Sequence, residues 1–397
     1  MSLFDGLTPL PPDALLGLMT AYRADPRSEK FDLGVGVYKD LAGLTPIFSS
    51  VKKAEAKLIA AQDTKVYEGQ RGNTDFCGHV EDFVFGKSHP ARKEGRVISF
   101  TAPGGCGALF QGISLMRKTG TRRVWVSRPT WPNHPNVVKS LGLDVKEYNY
   151  AVGGVFSPTS MLEDLLQAKE GDGVIIQGPC HNPTGIDFPV GFWKQLGELV
   201  RGKRLAALID IAYHGFADSL DEDMKGVRAF IAAAGEAMIA YSCSKNFGLY
   251  RERTGCFLVV GESREGIDAA YTHVADNGRA TWSMPPAHGA GIVATILGDA
   301  ALRTEWDTEL TAMRERMKSL RVSFSDALVA ATGSNELAQL RLQNGMFSQL
   351  PVSAAQTAEL RDKHGVYMPT SGRINIAGLH PDHIPRLAEI LAPYLKG

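Results

Sequence analysis

The chain has 397 residues, of which 44% are hydrophobic and 22% charged. A chain of this length can bury a large core, and we expect more than one domain. Lysine plus arginine and aspartate plus glutamate number 43 each, so the formal net charge is zero. This balance disfavours a nucleic-acid or membrane-surface partner held by bulk charge.

Three segments follow one another along the chain. Residues 1–35 contain several prolines around an amphipathic stretch, and we expect an N-terminal arm that also contributes to a small domain. Over residues 36–300, short apolar runs alternate with helical patterns, which predicts a large domain. Residues 301–397 have a different pattern and are predicted to form a small C-terminal α+β domain.

The large domain is predicted to have an α/β fold. Its predicted strands are 97–100, 124–127, 174–177, 205–210, 237–241 and 256–260, and its clearest helices are 108–117 and 192–200. Unbroken apolar strands separated by helices indicate a mostly parallel mixed sheet covered by helices on both faces.

The last part of the chain starts with a helical pattern that runs almost continuously over 290–329. Strand patterns follow at 341–350 and 366–377, and a final helix is predicted over 385–395. No repeat and no low-complexity linker separates these elements from the large domain.

The cysteines and the N-terminal sequence bear on the compartment. Five cysteines are scattered along the chain without a C-x-x-C pair, which disfavours a disulfide framework or a zinc site. The first residues lack the basic and apolar regions of a signal peptide, and no apolar run approaches about twenty residues. We therefore expect a cytoplasmic protein that binds no metal and no membrane.

Lys245 directly follows one of the predicted buried strands. Ser242 and Ser244 flank this lysine, and Arg253 follows eight positions later. One amine, two hydroxyls and a guanidinium can hold a phosphorylated aldehyde through an imine and a phosphate. An isolated Ser-Lys pair is more often part of a polar surface loop, so this interpretation depends on the other motifs.

A glycine-rich stretch, Gly104-Gly105-Cys106-Gly107, joins a predicted strand to a predicted helix. Exposed backbone N–H groups at a helix N-terminus form an anion site. Phe110 occupies the third glycine position of G-x-G-x-x-G, which disfavours a dinucleotide and favours a single phosphate. A tight structural turn is the alternative interpretation.

Other strand exits carry polar or aromatic side chains, and ligands bind at strand exits in sheets of this kind. Asp210 ends an apolar run and either pairs with a buried cation or caps the next helix. Tyr213 is close enough along the chain to share a ligand with Asp210. Asn182 lies in a turn, and Trp131 either stacks on an aromatic cofactor or packs in the core.

Two arginines and two histidines are further candidates. Arg373 and Arg279 could each grip a carboxylate with parallel hydrogen bonds, although a surface ion pair is the usual role of an arginine. His134 and His181 lack metal-ligand spacing, so we interpret them as structural or supporting residues.

Taken together, these motifs resemble those of fold-type I pyridoxal-phosphate aminotransferases, in particular the aspartate/aromatic amino acid aminotransferase subgroup of class I. The resemblance extends from Leu33 to Gly378. Five motifs carry it in the family's order: Thr-Trp-Pro-Asn-His (130–134), His-Asn-Pro-Thr-Gly (181–185), Ser-Lys-Asn-Phe-Gly-Leu-Tyr-x-Glu-Arg (244–253), Pro-Pro-Ala-His-Gly (285–289) and Asn-Gly-Met-Phe-Ser (344–348).

The resemblance implies a cofactor, pyridoxal 5'-phosphate held covalently on Lys245, and a homodimer with shared active sites. The implied catalytic residues are Lys245, Asp210 and Tyr213. The implied cofactor-binding residues are Gly105, Cys106, Trp131, Asn182, Asp210, Tyr213, Ser242, Ser244, Lys245, Arg253 and, from the second subunit, Tyr67. The implied substrate-binding residues are Gly36, Trp131, Asn182, Arg373 and, from the second subunit, Arg279.

The implied reaction is transamination of an aromatic amino acid, aspartate or both, with 2-oxoglutarate as amino acceptor. A strictly aspartate-specific enzyme and another pyridoxal-phosphate reaction on the same fold are the alternatives.

Three residues depart from the family pattern. Cys106 stands where relatives usually have threonine, so one hydroxyl contact to phosphate is weakened or lost. Gln177 replaces a histidine often found there. Met284 makes the pocket wall more apolar and adaptable, which favours acceptance of aromatic substrates.

Overall fold

The structure is a computed structural model that describes residues 2–11 and 13–396, so Met1, Pro12 and Gly397 lie outside the described residues. Its α-helices are α1 (Ala14–Ala24), α2 (Ser49–Ala61), α3 (Thr74–Phe85), α4 (Pro90–Lys93), α5 (Gly104–Lys118), α6 (Asn133–Ser140), α7 (Pro158–Leu166), α8 (Val190–Lys203), α9 (Glu222–Ala234), α10 (Arg264–Thr281), α11 (His288–Gly298), α12 (Ala300–Thr332), α13 (Ala354–His364) and α14 (Ile384–Leu395). Three 3-10 helices cover Asn335–Leu342, Ile376–Gly378 and Pro381–His383.

The strands are β1 (Phe31–Asp32), β2 (Val97–Pro103), β3 (Arg123–Arg128), β4 (Asp144–Asn149), β5 (Ala151–Val152), β6 (Val155–Phe156), β7 (Gly173–Gln177), β8 (Ala206–Ile211), β9 (Ala237–Ser242), β10 (Thr254–Val260), β11 (Phe347–Gln349), β12 (Val366–Tyr367) and β13 (Arg373–Asn375).

Seven of these strands form the main sheet, in the order β2-β10-β9-β8-β7-β3-β4. Strand β10 runs antiparallel to both of its neighbours, whereas the other pairs in this sheet are parallel. The predicted α/β fold with a mostly parallel mixed sheet is therefore confirmed. The carboxyl ends of β7, β8 and β9 meet at one edge, where the candidate site lies.

The central strands are apolar on both faces because helices cover both sides of the sheet. Along β8, Ala207 and Ile209 join one buried cluster while Leu208 joins the cluster on the opposite face. This alternation follows from the two-residue period of a strand. Burial on both faces explains why these segments appear as unbroken apolar runs in the sequence.

A further buried cluster joins the beginning and the end of the chain. Phe31 and Leu33 pack with residues from Leu320 onward, and β1 pairs in parallel with β12. Helix α12 contributes to two clusters, since Trp306 lies in the core of the main sheet and Phe324 in the terminal cluster. The chain thus passes from one core to the other within a single helix.

The almost continuous helical pattern predicted over 290–329 agrees with the structure, which has one break at Asp299, whose side chain accepts hydrogen bonds from the first turn of α12. A detail of the C-terminal strand prediction is wrong. The strand predicted over 341–350 is limited to β11, because a 3-10 helix extends to Leu342 and Gly345 takes a positive φ of 75°. The segment before β11 is shaped by contacts with the large core, described below, and not by strand pairing.

Candidate active site

The strand exits predicted from sequence converge on one cavity of 180 Å³. It is lined by Gly105, Cys106, Leu109, Trp131, Gln177, Asn182, Asp210, Ala212, Tyr213, Ser242, Ser244, Lys245 and Arg253. Parallel strands bring these residues together, because Gln177, Asp210 and Ala240 are register partners on β7, β8 and β9. The lysine, the aspartate and the glycine-rich stretch therefore belong to a single site.

One end of the cavity has the groups of an anion site. Helix α5 begins at Gly104, directly after β2, and its N-cap residue Pro103 provides no side-chain cap. The unpaired N–H groups of the first helical turn are the usual donors to a bound anion. A Cβ on Gly104 would lie 2.4 Å from Nη2 of Arg253, so the guanidinium packs directly against this turn.

The two serines that flank Lys245 complete this end. Ser242 Oγ donates to Ser244 Oγ at 3.1 Å, and both side chains are buried. A Cβ on Gly105 would lie 3.0 Å from Cβ of Ser242, which shows how closely the helix start approaches β9. The half-buried thiol of Cys106 accepts from Asn133 Nδ2 at 3.7 Å. The donor set matches a single phosphate group.

Asp210 is buried and is held by a histidine. His134 Nε2 lies 2.9 Å from Asp210 Oδ2, and His134 Nδ1 lies 2.7 Å from Thr130 Oγ1. The sequence placed His134 among supporting residues but did not identify Asp210 as its partner. The two residues are 76 positions apart, and only the convergence of strand exits could have linked them.

Tyr213 and Asn182 form the side of the cavity next to Asp210. Asn182 Nδ2 donates to the Tyr213 hydroxyl at 3.4 Å. Burial raises the pKa of Tyr213, so its hydroxyl keeps its proton and remains a donor at neutral pH. Gln177 holds the Asn182 backbone on both sides, because Oε1 accepts from Asn182 N and Nε2 donates to Asn182 O, each at 2.9 Å.

Arg373 from β13 reaches the same region from the terminal cluster. It donates to Gly34 O at 2.8 Å and to Asn182 Oδ1 at 3.4 Å, while its buried Nε has no hydrogen-bond partner among the described residues. Its guanidinium carbon lies 4.4 Å from the centre of the Phe347 ring. A Cβ on Gly36 would lie 3.2 Å from the same ring, so Gly36 and Arg373 border one space.

Burial lowers the pKa of the Lys245 amine. The negative charge of Asp210 opposes this effect, and the positive charge of Arg253 adds to it. The Lys245 Nζ also lies 5.2 Å from the centre of the Tyr213 ring. An amine with a lowered pKa has a larger unprotonated fraction at neutral pH, and the unprotonated form is the nucleophile and the base.

Tyr67 and Arg279 do not line this cavity. Tyr67 is 84% exposed, and Arg279 is exposed and donates to Ser283 Oγ at 2.5 Å. Their segments nevertheless pack on each other, since a Cβ on Gly72 would lie 2.8 Å from Cγ of Pro285. Tyr67 and Arg279, the two residues predicted to act from a second subunit, thus lie outside the cavity of their own chain, on exposed parts of two segments that contact each other at Gly72 and Pro285.

Two further features of the described residues concern metals and membranes. Within residues 2–11 and 13–396, no group of three or more His, Cys, Asp or Glu side chains is arranged to hold a metal ion. Among the helices of the same residues, none is both long enough and apolar enough to cross a bilayer.

Comparison with known proteins identifies the family. The model of the aminotransferase class I and II family matches residues 28–391. The chain is 42% identical to the aspartate aminotransferase of Escherichia coli (strain K12) over 396 residues, covering 99% of this chain and 100% of the relative. It is also 42% identical to the aromatic-amino-acid aminotransferase of Pseudomonas aeruginosa, covering 99% of both.

Solved structures agree with the sequence relatives. The aromatic-amino-acid aminotransferase of Burkholderia pseudomallei, covalently bound to pyridoxal phosphate, superposes with a TM-score of 0.96 at 34% identity and covers 100% of both chains. The chain belongs to the aminotransferase class I and II family. It is therefore an enzyme of the transaminase type.

The position of Lys245 generates a prediction about its titration. In cofactor-free protein, competitive acetylation across a pH series should show that the pKa of Lys245 lies below 10.5, the ordinary pKa of a lysine. Asp210→Asn removes the charge that opposes this shift, so the pKa of Lys245 should fall further. Exposed Lys139 provides the reference reactivity. An unshifted Lys245, or a rise in its pKa in Asp210→Asn, would contradict the electrostatic description.

Proposed function

We propose that this protein catalyses pyridoxal-phosphate-dependent transamination between an L-amino acid and 2-oxoglutarate, giving a 2-oxo acid and L-glutamate. The amino donors are aromatic amino acids, aspartate or both. The observation that carries this proposal is the single cavity in which the Lys245 amine, the Asp210 carboxylate and the anion site of α5 meet. The names of the relatives, aspartate and aromatic-amino-acid aminotransferases, support the substrate class.

The residues around the cavity fit pyridoxal phosphate. Lys245 would hold the cofactor aldehyde covalently, and the start of α5 would hold the phosphate group. The residues proposed to hold the phosphate are Gly105, Cys106, Ser242, Ser244 and Arg253. Asp210 would pair with the ring nitrogen, Tyr213 and Asn182 would contact the ring oxygen, and Trp131 would stack on the ring.

The bound cofactor supplies an aromatic ring that accepts the electron pair left on the substrate when the Cα–H bond breaks. The protein moves the proton. Lys245 Nζ would take the proton from Cα as a general base and deliver it as a general acid to the former aldehyde carbon of the cofactor. Its lowered pKa favours the unprotonated form that begins this transfer. His134 holds Asp210 in place through their 2.9 Å contact, so the carboxylate stays oriented toward the ring nitrogen.

Arg373 and Gly36 are proposed to bind the α-carboxylate of the substrate. Within the described part of the chain, the buried Nε of Arg373 has no hydrogen-bond partner, so it is a donor available to a carboxylate oxygen. Arg279 of a second subunit binds a distal carboxylate, and Met284 provides an apolar surface for aromatic side chains. One pocket could then accept both substrate types.

The proposal includes the organisation of the chain. Residues 36–300 form the large cofactor-binding domain, and residues 1–35 and 301–397 contribute the smaller unit that carries Arg373. Two chains form a homodimer in which Tyr67 and Arg279 reach the partner's cavity. The exposure of both side chains supports this arrangement. The free thiols of the described cysteines support a reducing, cytoplasmic location.

Removing the lysine tests the function directly. Lys245→Ala should lower the transamination rate by at least about 10³-fold, because both the covalent anchor and the general base are lost. Borohydride reduction of the wild-type holoenzyme should leave one cofactor adduct on the peptide that contains Lys245. Lys139→Ala, at an exposed lysine, should behave as wild type. Unchanged activity in Lys245→Ala, or an adduct on another lysine, would refute the proposal.

Arg279 tests the substrate class. Arg279→Ala should reduce kcat/KM for aspartate far more than for phenylalanine, since only aspartate leaves a second carboxylate unpaired, and each tenfold loss corresponds to about 1.4 kcal/mol. Arg264→Ala, on the same helix, removes an exposed arginine that pairs with Asp268 and should change neither value. Equal losses of kcat/KM for both substrates would show that Arg279 does not bind the distal carboxylate. A wild-type enzyme that rejects phenylalanine would identify a strictly aspartate-specific aminotransferase.

Hybrid dimers test the shared active site. If Lys245 and Arg279 act from different subunits, a dimer of one Lys245→Ala chain and one Arg279→Ala chain contains one native site. Random mixing of the two variants should then restore about one quarter of wild-type aspartate activity. Mixtures that stay as inactive as their components would show that each site uses residues of one chain only.

A further inference from the structure

Asp187 joins two segments that line the proposed substrate site. Its Oδ1 accepts from the backbone N–H groups of Cys180 at 2.7 Å and His181 at 3.2 Å, immediately before Asn182. Its Oδ2 accepts from Asn344 Nδ2 at 3.0 Å, three residues before Phe347. One carboxylate therefore holds backbone from the main sheet and a side chain from the segment that leads into β11.

The surrounding backbone leaves little room for movement between these segments. Asn344 N donates to Gly185 O at 2.7 Å. A Cβ on Gly185 would lie 2.4 Å from the Phe347 carbonyl oxygen, and a Cβ on Gly345 would lie 2.3 Å from Cβ of Cys180. Glycine is required at both positions, because any side chain would push the two segments apart.

A buried arginine holds the second segment from the other side. Arg321 of α12 is 2% exposed, and its Nη2 donates to Gly345 O at 2.6 Å and to Phe347 O at 3.1 Å. Burial lowers the pKa of Arg321 to about 10, and the nearby charge of Asp187 acts against this shift. The segment before β11 thus lies between a buried cation and the carboxylate of Asp187.

Both segments that Asp187 joins, the one with Asn182 and the one with Phe347, contact Arg373. Asn182 Oδ1 accepts from Arg373 Nη1 at 3.4 Å, and the Phe347 ring lies under the guanidinium at 4.4 Å. A shift of either segment would therefore change the orientation of the arginine that is proposed to bind the substrate carboxylate. The groups of the phosphate end, such as Arg253, have no contact with Asp187 or Asn344 among those described.

We propose that Asp187 is a positioning residue that acts through Asn344 to keep Asn182 and Phe347 aligned around Arg373. This inference rests on the proposed function, because Arg373 must bind the carboxylate of both substrates. Loosening the Asp187–Asn344 contact should weaken binding of the amino donor and of the 2-oxo acid together. Cofactor affinity should change by a smaller factor than either KM, since the phosphate site lies elsewhere in the cavity and keeps its contacts when Asn182 shifts.

Exchanging the two side chains tests the contact. Asn344→Asp places two carboxylates face to face, so KM should rise about five- to tenfold for both substrates with a smaller change in kcat. Asp187→Asn combined with Asn344→Asp restores one amide facing one carboxylate. This double variant should return both KM values to within about twofold of wild type, which is a coupling that independent sites do not show.

Two further variants separate positioning from general destabilisation. Asn344→Ala removes the donor without adding charge and provides the test if Asn344→Asp does not fold, with the same direction of change in KM. Thr121→Val removes a partly buried hydrogen bond to Gly171 O, 2.8 Å long, near the amino ends of β3 and β7 and so on the far side of the sheet from the cavity. It should lower the thermal midpoint and leave both KM values unchanged.

The outcomes distinguish this inference from the proposed function. Folded Asn344→Asp or Asn344→Ala with unchanged KM values would overturn the positioning role, as would a double variant no better than Asn344→Asp. A cofactor dissociation constant raised as much as KM or more, measured by absorbance on adding pyridoxal phosphate to the cofactor-free protein, would also overturn it. A wild-type enzyme without transaminase activity would instead refute the proposed function.

Discussion

A carboxylate buried at the end of a central parallel strand is the constraint around which this site is built. Asp210 is 7% exposed and lies on β8, in the middle of the seven-stranded sheet. A buried negative charge is costly without hydrogen bonds and an opposite charge. His134 provides the first contact, the Lys245 amine lies in the same cavity, and a protonated ring nitrogen would complete the set.

The sheet and the terminal cluster contribute different parts of the chemistry. Strand exits of the sheet hold the lysine, the aspartate and the anion site, so these groups share one rigid support. Arg373 comes from β13, outside that sheet, and depends on contacts with Asn182 and Phe347 for its orientation. Under the proposed function, carboxylate binding at Arg373 would be sensitive to how the two cores meet, whereas the phosphate end of the cavity is held by the sheet and α5.

Much of the architecture could be predicted from the sequence, for a physical reason. Strands buried on both faces appear as unbroken apolar runs, so the central strands and the polar residues at their exits were recognisable. The strand predicted over 341–350 was wrong because residues such as Asn344 and Gly345 serve contacts distant in sequence. Local patterns do not contain that information.

Individual contacts within the site were beyond sequence reasoning. Arg321 belongs to a long helix with many charges, where an arginine is expected to face solvent, yet it is almost fully buried. Gln177 was recognised as a departure from the family, but its paired hydrogen bonds to Asn182 became apparent only in the folded chain. The partner of a buried polar group depends on tertiary packing and not on its sequence neighbours.

The antiparallel strand β10 has a consequence for how such enzymes diversify. The loop that carries Lys245 leaves β9 and returns into the adjacent β10, and Cys243 N donates to Thr254 O at 3.0 Å across its base. Both ends of the loop are fixed at neighbouring strands. Amino-acid substitutions elsewhere in the chain therefore need not displace Lys245. Substitutions in the pocket walls outside this loop can then accumulate while the amine of Lys245 stays anchored between β9 and β10.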